Sequence, residues 1–227
     1  ILEVTALITN VAIQKTTFKY EIPYMLLITA VLLVMGMTGN EITFIEGVIL
    51  WILFIAYLLY LYFLAKKGND SGDEQSVKLY PVWKCLLFIV LGGVCVVIGS
   101  QLVVNGATTI ARACGMSERF IGLTIVAFGT SLPELVTSVS AARKGNAGIA
   151  IGNIVGSNIF NILFVIGTVA LICPVPFESR FVIDTVVAIL CGVLLWGGTI
   201  RHKELRKPCG VVMLLCYAAY FVYLAAM

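Results

Sequence analysis

The chain has 227 residues, of which 60% are hydrophobic and 12% charged, with a formal net charge of +3 and a mean hydropathy of +1.04. A water-soluble domain of this length does not reach that apolar content. The 15 Lys and Arg residues sit in short loops between apolar runs rather than among aromatics on one face, which excludes the pattern of a nucleic-acid binder.

The apolar runs are continuous, not alternating, and about 20 residues long, so they predict membrane-spanning α-helices. A partial segment, ILEVTALITNVAI (1–13), is followed by full segments near 20–38 and 43–65. Residues 66–82, which include KKGNDSGDEQSVKLY, form the one long polar stretch and predict a flexible linker between two bundles. Five further segments lie near 83–112, 118–142, 147–173, 180–199 and 208–226. The fold class is therefore an all-α polytopic membrane protein with seven full spans and one partial span.

Charge orients it. With alternating crossings and a cytoplasmic linker, only Arg112, Arg119 and Arg180 of the basic residues fall outside, the asymmetry that the positive-inside rule favours. The C-terminus is then outside. The seven cysteines are scattered without a CxxC and predict buried free thiols rather than a disulfide or metal framework. The one histidine, His202, falls in a charged turn and excludes a His-rich zinc site. No GxSxG or Walker motif supports an enzyme.

An internal repeat relates the ends of the chain. Ala6, Leu7, Ile8 and Val11 align with Ala170, Leu171, Ile172 and Val175, and after a one-residue gap Glu21 aligns with Asp184. The two copies run in opposite directions across the membrane. Inverted repeats mark secondary transporters, with the site at the repeat interface near the midplane. About 80 residues precede the aligned part of the second copy and only four precede the first, so an N-terminal portion of the native protein is expected to be missing from this chain.

Two polar stripes interrupt the spans. In GTSLPE, Thr130 and Ser131 stand four and three residues before Glu134, and Thr137 and Ser138 continue the stripe. Pro133 has no N–H to donate and disfavours helix before it, which frees carbonyl oxygens. Carbonyls, hydroxyls and a carboxylate are hard donors suited to Ca²⁺ or Na⁺. A carboxylate at mid-membrane costs about 2.5–3.5 kcal/mol on insertion scales, so a compensating cation or proton is expected. In the next segment Asn153, Ser157 and Asn161 recur every four residues, as do Gly148, Gly152 and Gly156, the latter predicting close helix packing.

The stretch from GLTIVAFGTSLPELVTS to GNIVGSNIFNILFVIG (122–167) resembles the second α-repeat of the calcium/cation antiporter superfamily, nearest to bacterial sodium/calcium exchangers. YEIP at 20–23 also resembles that family's first half. The resemblance implies an inverted-repeat antiporter of ten helices, of which this chain would hold the end of the third through the tenth. It implies Glu134 as the central Ca²⁺ and Na⁺ ligand, Thr130 and Ser131 beside it, and Ser157 and Asn161, with Asn153 on the same stripe, from the facing helix. It also implies an equivalent half-site from the absent N-terminal part, no cofactor, the lipid bilayer as surroundings and the bacterial inner membrane as location.

Some relatives carry Asp at the position of Asn161, which leaves stoichiometry and K⁺ dependence open. The proton-coupled branch carries Glu at the position of Gly156, so its absence here favours Na⁺. Glu3 aligns with Gly167, where a small residue is expected. The function expected is Na⁺/Ca²⁺ antiport by alternating access, with Ca²⁺ exported by Na⁺ entry. The alternatives are an H⁺-coupled cation antiporter on the same fold and a non-transporting scaffold subunit.

Overall fold

The computed structural model describes residues 1–8, 10–68, 81–116, 118–200 and 203–226, with the backbone alone at 68, 119, 120, 123, 127, 147 and 224–226. In chain order its helices are α1 (Leu2–Ile8), α2 (Ile22–Gly39), α3 (Phe44–Gly68), α4 (Val82–Ala113), α5 (Glu118–Ile121), α6 (Ala127–Thr130), α7 (Leu132–Arg143), α8 (Ala147–Phe160), α9 (Gly167–Ile172), α10 (Ser179–Thr199) and α11 (Lys207–Ala226). π-Helical stretches at Thr17–Glu21, Gly122–Val126 and Asn161–Ile166 lead into α2, α6 and α9. The strands are β1 (Val11–Ala12), β2 (Glu41–Ile42), β3 (Val175–Pro176) and β4 (Glu204–Leu205).

Five continuous helices are long and apolar enough to cross a membrane: Thr17–Gly39, Phe44–Lys67, Val82–Ala113, Gly148–Ile172 and Ser179–Thr199. A sixth span is the pair Thr124–Thr130 and Leu132–Arg143, bent by 49°. These six fall on six of the seven segments expected, and a shorter apolar helix, Lys207–Tyr223, lies where the seventh is expected. The protein is a multi-pass, all-helical membrane protein.

The helix ends follow local chemistry. Glu46 Oε2 accepts hydrogen bonds from the Thr43 amide (2.7 Å) and hydroxyl (2.9 Å), one half of a capping box that starts α3. Helices α4 and α7 both stop at glycines with left-handed backbone, Gly115 (φ 76°) and Gly145 (φ 82°). In each case the following amide reaches back to a helix carbonyl, Met116 to Ala111 (3.0 Å) and Asn146 to Ala141 (2.9 Å). The second of these turns the chain sharply and lays α8 against α7.

The repeat is written into the backbone pairing. Strand β1 pairs antiparallel with β4, Val11 opposite Leu205, while β2 pairs antiparallel with β3, Ile42 opposite Val175. Val11 and Val175 are equivalent positions of the repeat, as are Ile42 and Leu205, so exchanging the two copies turns one strand pair into the other. Flanking bonds obey the same exchange: the Ile13 amide donates to the Lys203 carbonyl and the Phe177 amide to the Asn40 carbonyl, both at 2.8 Å. Asn40 and Lys203 share a left-handed backbone, with φ of 55° and 53°.

Helix packing repeats it again. Helix α3 lies on α9, α1 on α11, and α2 on its own counterpart α10. A Cβ on Gly47 would stand 3.0 Å from the Ala170 Cβ and 3.0 Å from the Gly167 carbonyl, and one on Gly210 would stand 3.0 Å from the Ala6 Cβ and 3.2 Å from the Glu3 carbonyl. The helices approach at equivalent points because glycine leaves room for the opposing backbone. Glu3 occupies the place of Gly167 in this contact with its backbone, which tolerates a larger residue.

The core lies where α2, α3 and α8 with its continuation to α9 meet, around Ile22, Ile28, Leu50, Ile151, Val155, Ile159 and Leu163. The Trp51 indole N–H donates to Thr168 Oγ1 (3.2 Å) and its ring packs on Phe54 and Phe164, so this end of the aromatic run in α3 is packing surface. Helix α4 stands apart. Of its 32 residues only Ala111 is buried, and its neighbours are α5, α6, α7 and the stretch leading into α6.

Several expectations change. The partial segment 1–13 holds the helix Leu2–Ile8 and the strand Val11–Ala12 rather than one helix. The seven cysteines are free, but Cys85, Cys95, Cys114, Cys173 and Cys216 are exposed and only Cys191 and Cys209 are half-buried. The apolarity that predicts a buried thiol in water is equally satisfied by lipid. In the linker 66–82, residues 69–80 lie outside the described residues, as does His202.

Candidate functional site

The broken span places the GTSLPE motif at a joint. Helix α6 ends at Thr130, and Ser131 takes φ −92° and ψ −2° before α7 begins at Leu132. Pro133, at the start of α7, has no amide to offer the Gly129 carbonyl one turn back, so the i to i−4 ladder is interrupted there. The Ser131 amide turns to the Phe128 carbonyl (3.1 Å) and the Leu135 amide to the Ser131 carbonyl (3.0 Å). The bend means that Thr130, Ser131 and Glu134 do not form the unbroken helical stripe that their spacing predicts. They surround a joint, with Glu134 in the first turn of α7, where the helix dipole favours a negative charge.

Gly129 is buried at this joint, and a Cβ there would fall 2.0 Å from Val104 Cγ2 of α4. The absence of a side chain lets α4 rest directly on the break. This contact had no sequence signal, since Val104 is one apolar residue among many on α4.

Glu134 is half-buried, and its Oε2 is sealed from solvent with no hydrogen-bond partner among the described residues. Behind it, α8 presents Asn153, whose Nδ2 reaches Thr137 Oγ1 at 3.0 Å, the fully buried Ser138 Oγ at 3.2 Å and the Glu134 carbonyl at 3.4 Å. The Thr137 hydroxyl in turn donates within its own helix, 2.9 Å from the Pro133 carbonyl and 3.1 Å from that of Glu134. Ser157 is half-buried one turn beyond Asn153, and Asn161 is exposed at the start of the π-helical stretch. Among the described residues no side-chain hydrogen bond reaches Ser157 or Asn161.

Of the six residues singled out, Glu134 and Asn153 are thus in contact. Thr130 and Ser131 lie on the break beside them, and Ser157 and Asn161 follow on α8 and its continuation. Oxygen is the donor available here: a carboxylate, hydroxyls, an amide and carbonyls released by the break. The described residues hold no group of three or more His, Cys, Asp or Glu that could bind a metal ion. What the described residues offer a cation at this joint is one carboxylate and neutral oxygens, donors that suit a hard ion.

The glycine stripe faces open space within residues 1–227 for the most part. Gly152 and Gly156 have open space where a Cβ would be, and Gly148 faces Gln14. All three line an open cleft of about 490 Å³ with Thr17, Glu21 and Tyr57 on its other wall. Within this chain the small residues form one wall of that cleft.

The model of the sodium/calcium exchanger protein family matches residues 84–226. This chain belongs to the sodium/calcium exchanger family. It is 38% identical over 142 residues to the sodium/calcium exchanger MaX1 of Methanosarcina acetivorans, covering 62% of this chain and 41% of that protein. It is 31% identical over 231 residues to the inner membrane protein YrbG of Escherichia coli, covering 94% of this chain and 68% of that one. Its fold is similar to that of the sodium-calcium exchanger NCX_Mj soaked with zero Na⁺ and Ca²⁺, with a TM-score of 0.79 and 31% identity over 98% of this chain and 71% of that one. The antiporter superfamily that the GTSLPE and GNIVGSN motifs resemble is thereby the correct one.

Proposed function

We propose that the protein exchanges Na⁺ for Ca²⁺ across a membrane by alternating access, exporting Ca²⁺ at the expense of Na⁺ entry. The observation that carries this reading is the sealed, unpartnered Glu134 Oε2 at a broken helix. A carboxylate oxygen shut away from water without a partner is costly, and a transported cation repays that cost each time it binds. The named exchangers MaX1 and NCX_Mj support the choice of ions.

In this reading Glu134 is the charged ligand, and Thr130 and Ser131 add oxygens from the break. Ser157 and Asn161 close the site from the α8 side, and Asn153 holds α7 and α8 in register. Na⁺ and Ca²⁺ compete for overlapping positions because both are hard cations of similar size. Glu134 supplies one negative charge and Ca²⁺ brings two. A second carboxylate, on an equivalent motif outside residues 1–227, is therefore part of the proposal, in keeping with the 71% coverage of NCX_Mj. The two halves are residues 1–65 and 83–227, inverted about the membrane plane. The linker 66–82 faces the cytoplasm, the C-terminus lies outside, and the membrane is the bacterial inner membrane.

The test is Ca²⁺ uptake by the full-length protein in proteoliposomes under an outward Na⁺ gradient, for wild type and Glu134→Gln. The expected result is uptake that needs the gradient and disappears in the variant. Uptake that follows a pH gradient and ignores Na⁺ would assign the protein to proton-coupled exchange. No flux from folded protein would leave the polar stripes as helix glue.

A further inference from the structure

A second buried carboxylate lies well apart from the GTSLPE break in the chain. Glu21 is only 9% exposed, with the buried Thr17 one turn back. It lines a cavity of about 290 Å³ between α2 and α3 whose other walls are Tyr20, Tyr24, Leu53, Ala56, Tyr57 and Tyr60. The four tyrosine rings form a connected wall, with centroids 5.5 Å apart for Tyr24 and Tyr57, 6.2 Å for Tyr57 and Tyr60, and 6.1 Å for Tyr20 and Tyr60. The Tyr60 hydroxyl is buried with no partner among the described residues, while that of Tyr24 is committed to the Leu53 carbonyl at 2.9 Å.

The other half of the repeat shows what this arrangement lacks. Tyr57 stands as far after Glu21 as Tyr220 after Asp184, 36 residues in each case. In the second half the pair closes on itself, with Tyr220 donating its hydroxyl to Asp184. Ile183 and Val187 stand there where Tyr20 and Tyr24 stand here. The first half has instead kept an open, ring-walled space beside its carboxylate.

The chemistry of the walls selects the occupant. A hard metal ion needs about six oxygens, and besides the carboxylate this cavity offers only tyrosine hydroxyls, that of Tyr24 already committed to Leu53, among rings and aliphatic carbons. Aromatic faces around a single negative charge suit a weakly hydrated organic cation. The position narrows the class further. Glu21 lies about one helical turn inside the start of its span at Thr17 and Tyr60 about two turns inside the end of its span at Lys67, the depth of the headgroup boundary. Exposed Lys15, Lys19, Lys66 and Lys67 ring that edge, and the Lys19 ammonium sits 5.3 Å from the Tyr20 ring centroid, within reach of an anion held just outside the cavity.

We propose that the Glu21 and tyrosine cavity binds an alkylammonium group, either the head of a zwitterionic phospholipid with its phosphate beside Lys19 or a free amine of the same chemistry. The ammonium rests against the tyrosine faces with Glu21 as counter-ion. Because Glu21 also lines the open cleft along Gly148, Gly152 and Gly156, an occupant fixes the spacing of α2, α3 and α8 at this end.

The test uses the full-length protein, without Na⁺ or Ca²⁺, so that it stands apart from ion exchange. Tetramethylammonium chloride is titrated against thermal melting at constant ionic strength. Then nanodiscs of phosphatidylcholine are compared with nanodiscs of phosphatidylglycerol carrying the same acyl chains. A saturable rise in Tm with tetramethylammonium is expected in wild type and in Asp184→Asn. Affinity is expected to fall at least tenfold in Glu21→Gln and about tenfold in Tyr57→Leu, the loss of one desolvated ring contact. Stabilisation by phosphatidylcholine over phosphatidylglycerol that disappears in Glu21→Gln identifies the lipid head as the source. Tetramethylammonium binding without any lipid preference identifies a free amine. The proposal is overturned if cooperatively melting wild-type protein shows no saturable shift, or if Glu21→Gln and Asp184→Asn weaken the response equally. Should Glu21→Gln fail to fold, Tyr57→Leu and Tyr24→Leu carry the same comparison.

Discussion

Replacing Asn153 by Ala removes the amide that ties α8 to α7 behind Glu134. The side chain has two amide hydrogens and three acceptors within reach, at 3.0, 3.2 and 3.4 Å, so at most two good bonds form at once. Between membrane helices such bonds average about 0.6 kcal/mol each, which gives a loss of roughly 1.2 kcal/mol, or about eightfold in the folding equilibrium. Ser138, fully buried, then loses a donor, which pushes the loss upward. Asn153→Asp keeps the shape, deletes both donors and brings a charge towards the Glu134 carbonyl, so it is expected to cost more than Ala. The measurement is reversible unfolding in mixed micelles for the three proteins. Equal stability of wild type, Asn153→Ala and Asn153→Asp within about 0.3 kcal/mol, well below the value of one such bond, would refute the argument that donation from Asn153 holds the two helices in register.

Gly129→Ala drives a methyl into Val104 and is expected to cost about 1–3 kcal/mol as overpacking; Val104→Ala in the same chain should recover most of it, measured as a coupling energy in a double-mutant cycle. Gly47→Val and Gly210→Val meet opposing backbone at equivalent points of the repeat. They should each lower the melting temperature by similar amounts, whereas Gly152→Ala, which faces open space, should leave it nearly unchanged. Asn40→Val forces a β-branched residue into a left-handed backbone and is expected to destabilise by about 1–2 kcal/mol, with Asn40→Gly close to wild type in the same melt.

The spans were readable because each is long, apolar and bounded by charge. So was the repeat, down to the one-residue gap between Val11 and Glu21, which the strand register reproduces. The site residues were readable through cost: a proline and a carboxylate in an apolar run stand out. Spacing alone failed at the joint itself, because counting by helical turns through Ser131 assumes a continuous helix. It failed likewise for the π-helical stretches at Thr17–Glu21, Gly122–Val126 and Asn161–Ile166, whose extra residue per turn has no compositional signature. The burial of the cysteines was misjudged, since five of the seven are exposed. Small and weakly polar side chains suit packing, clefts and lipid alike, so only neighbours decide between them.

The exchanged strand pairs also set an order of assembly. Strand β2 meets its partner roughly 130 residues later in the chain, and β1 waits through roughly 190 residues for Leu205, which at ribosomal speeds of about 5–20 residues per second is some ten to forty seconds. The inner clasp closes first and the outer one last. Through that interval the first strand to be made stands with its amides and carbonyls uncovered, so the N-terminal end of this chain depends on the last tenth of it for completion. Truncation near residue 200 would leave that edge open in every molecule.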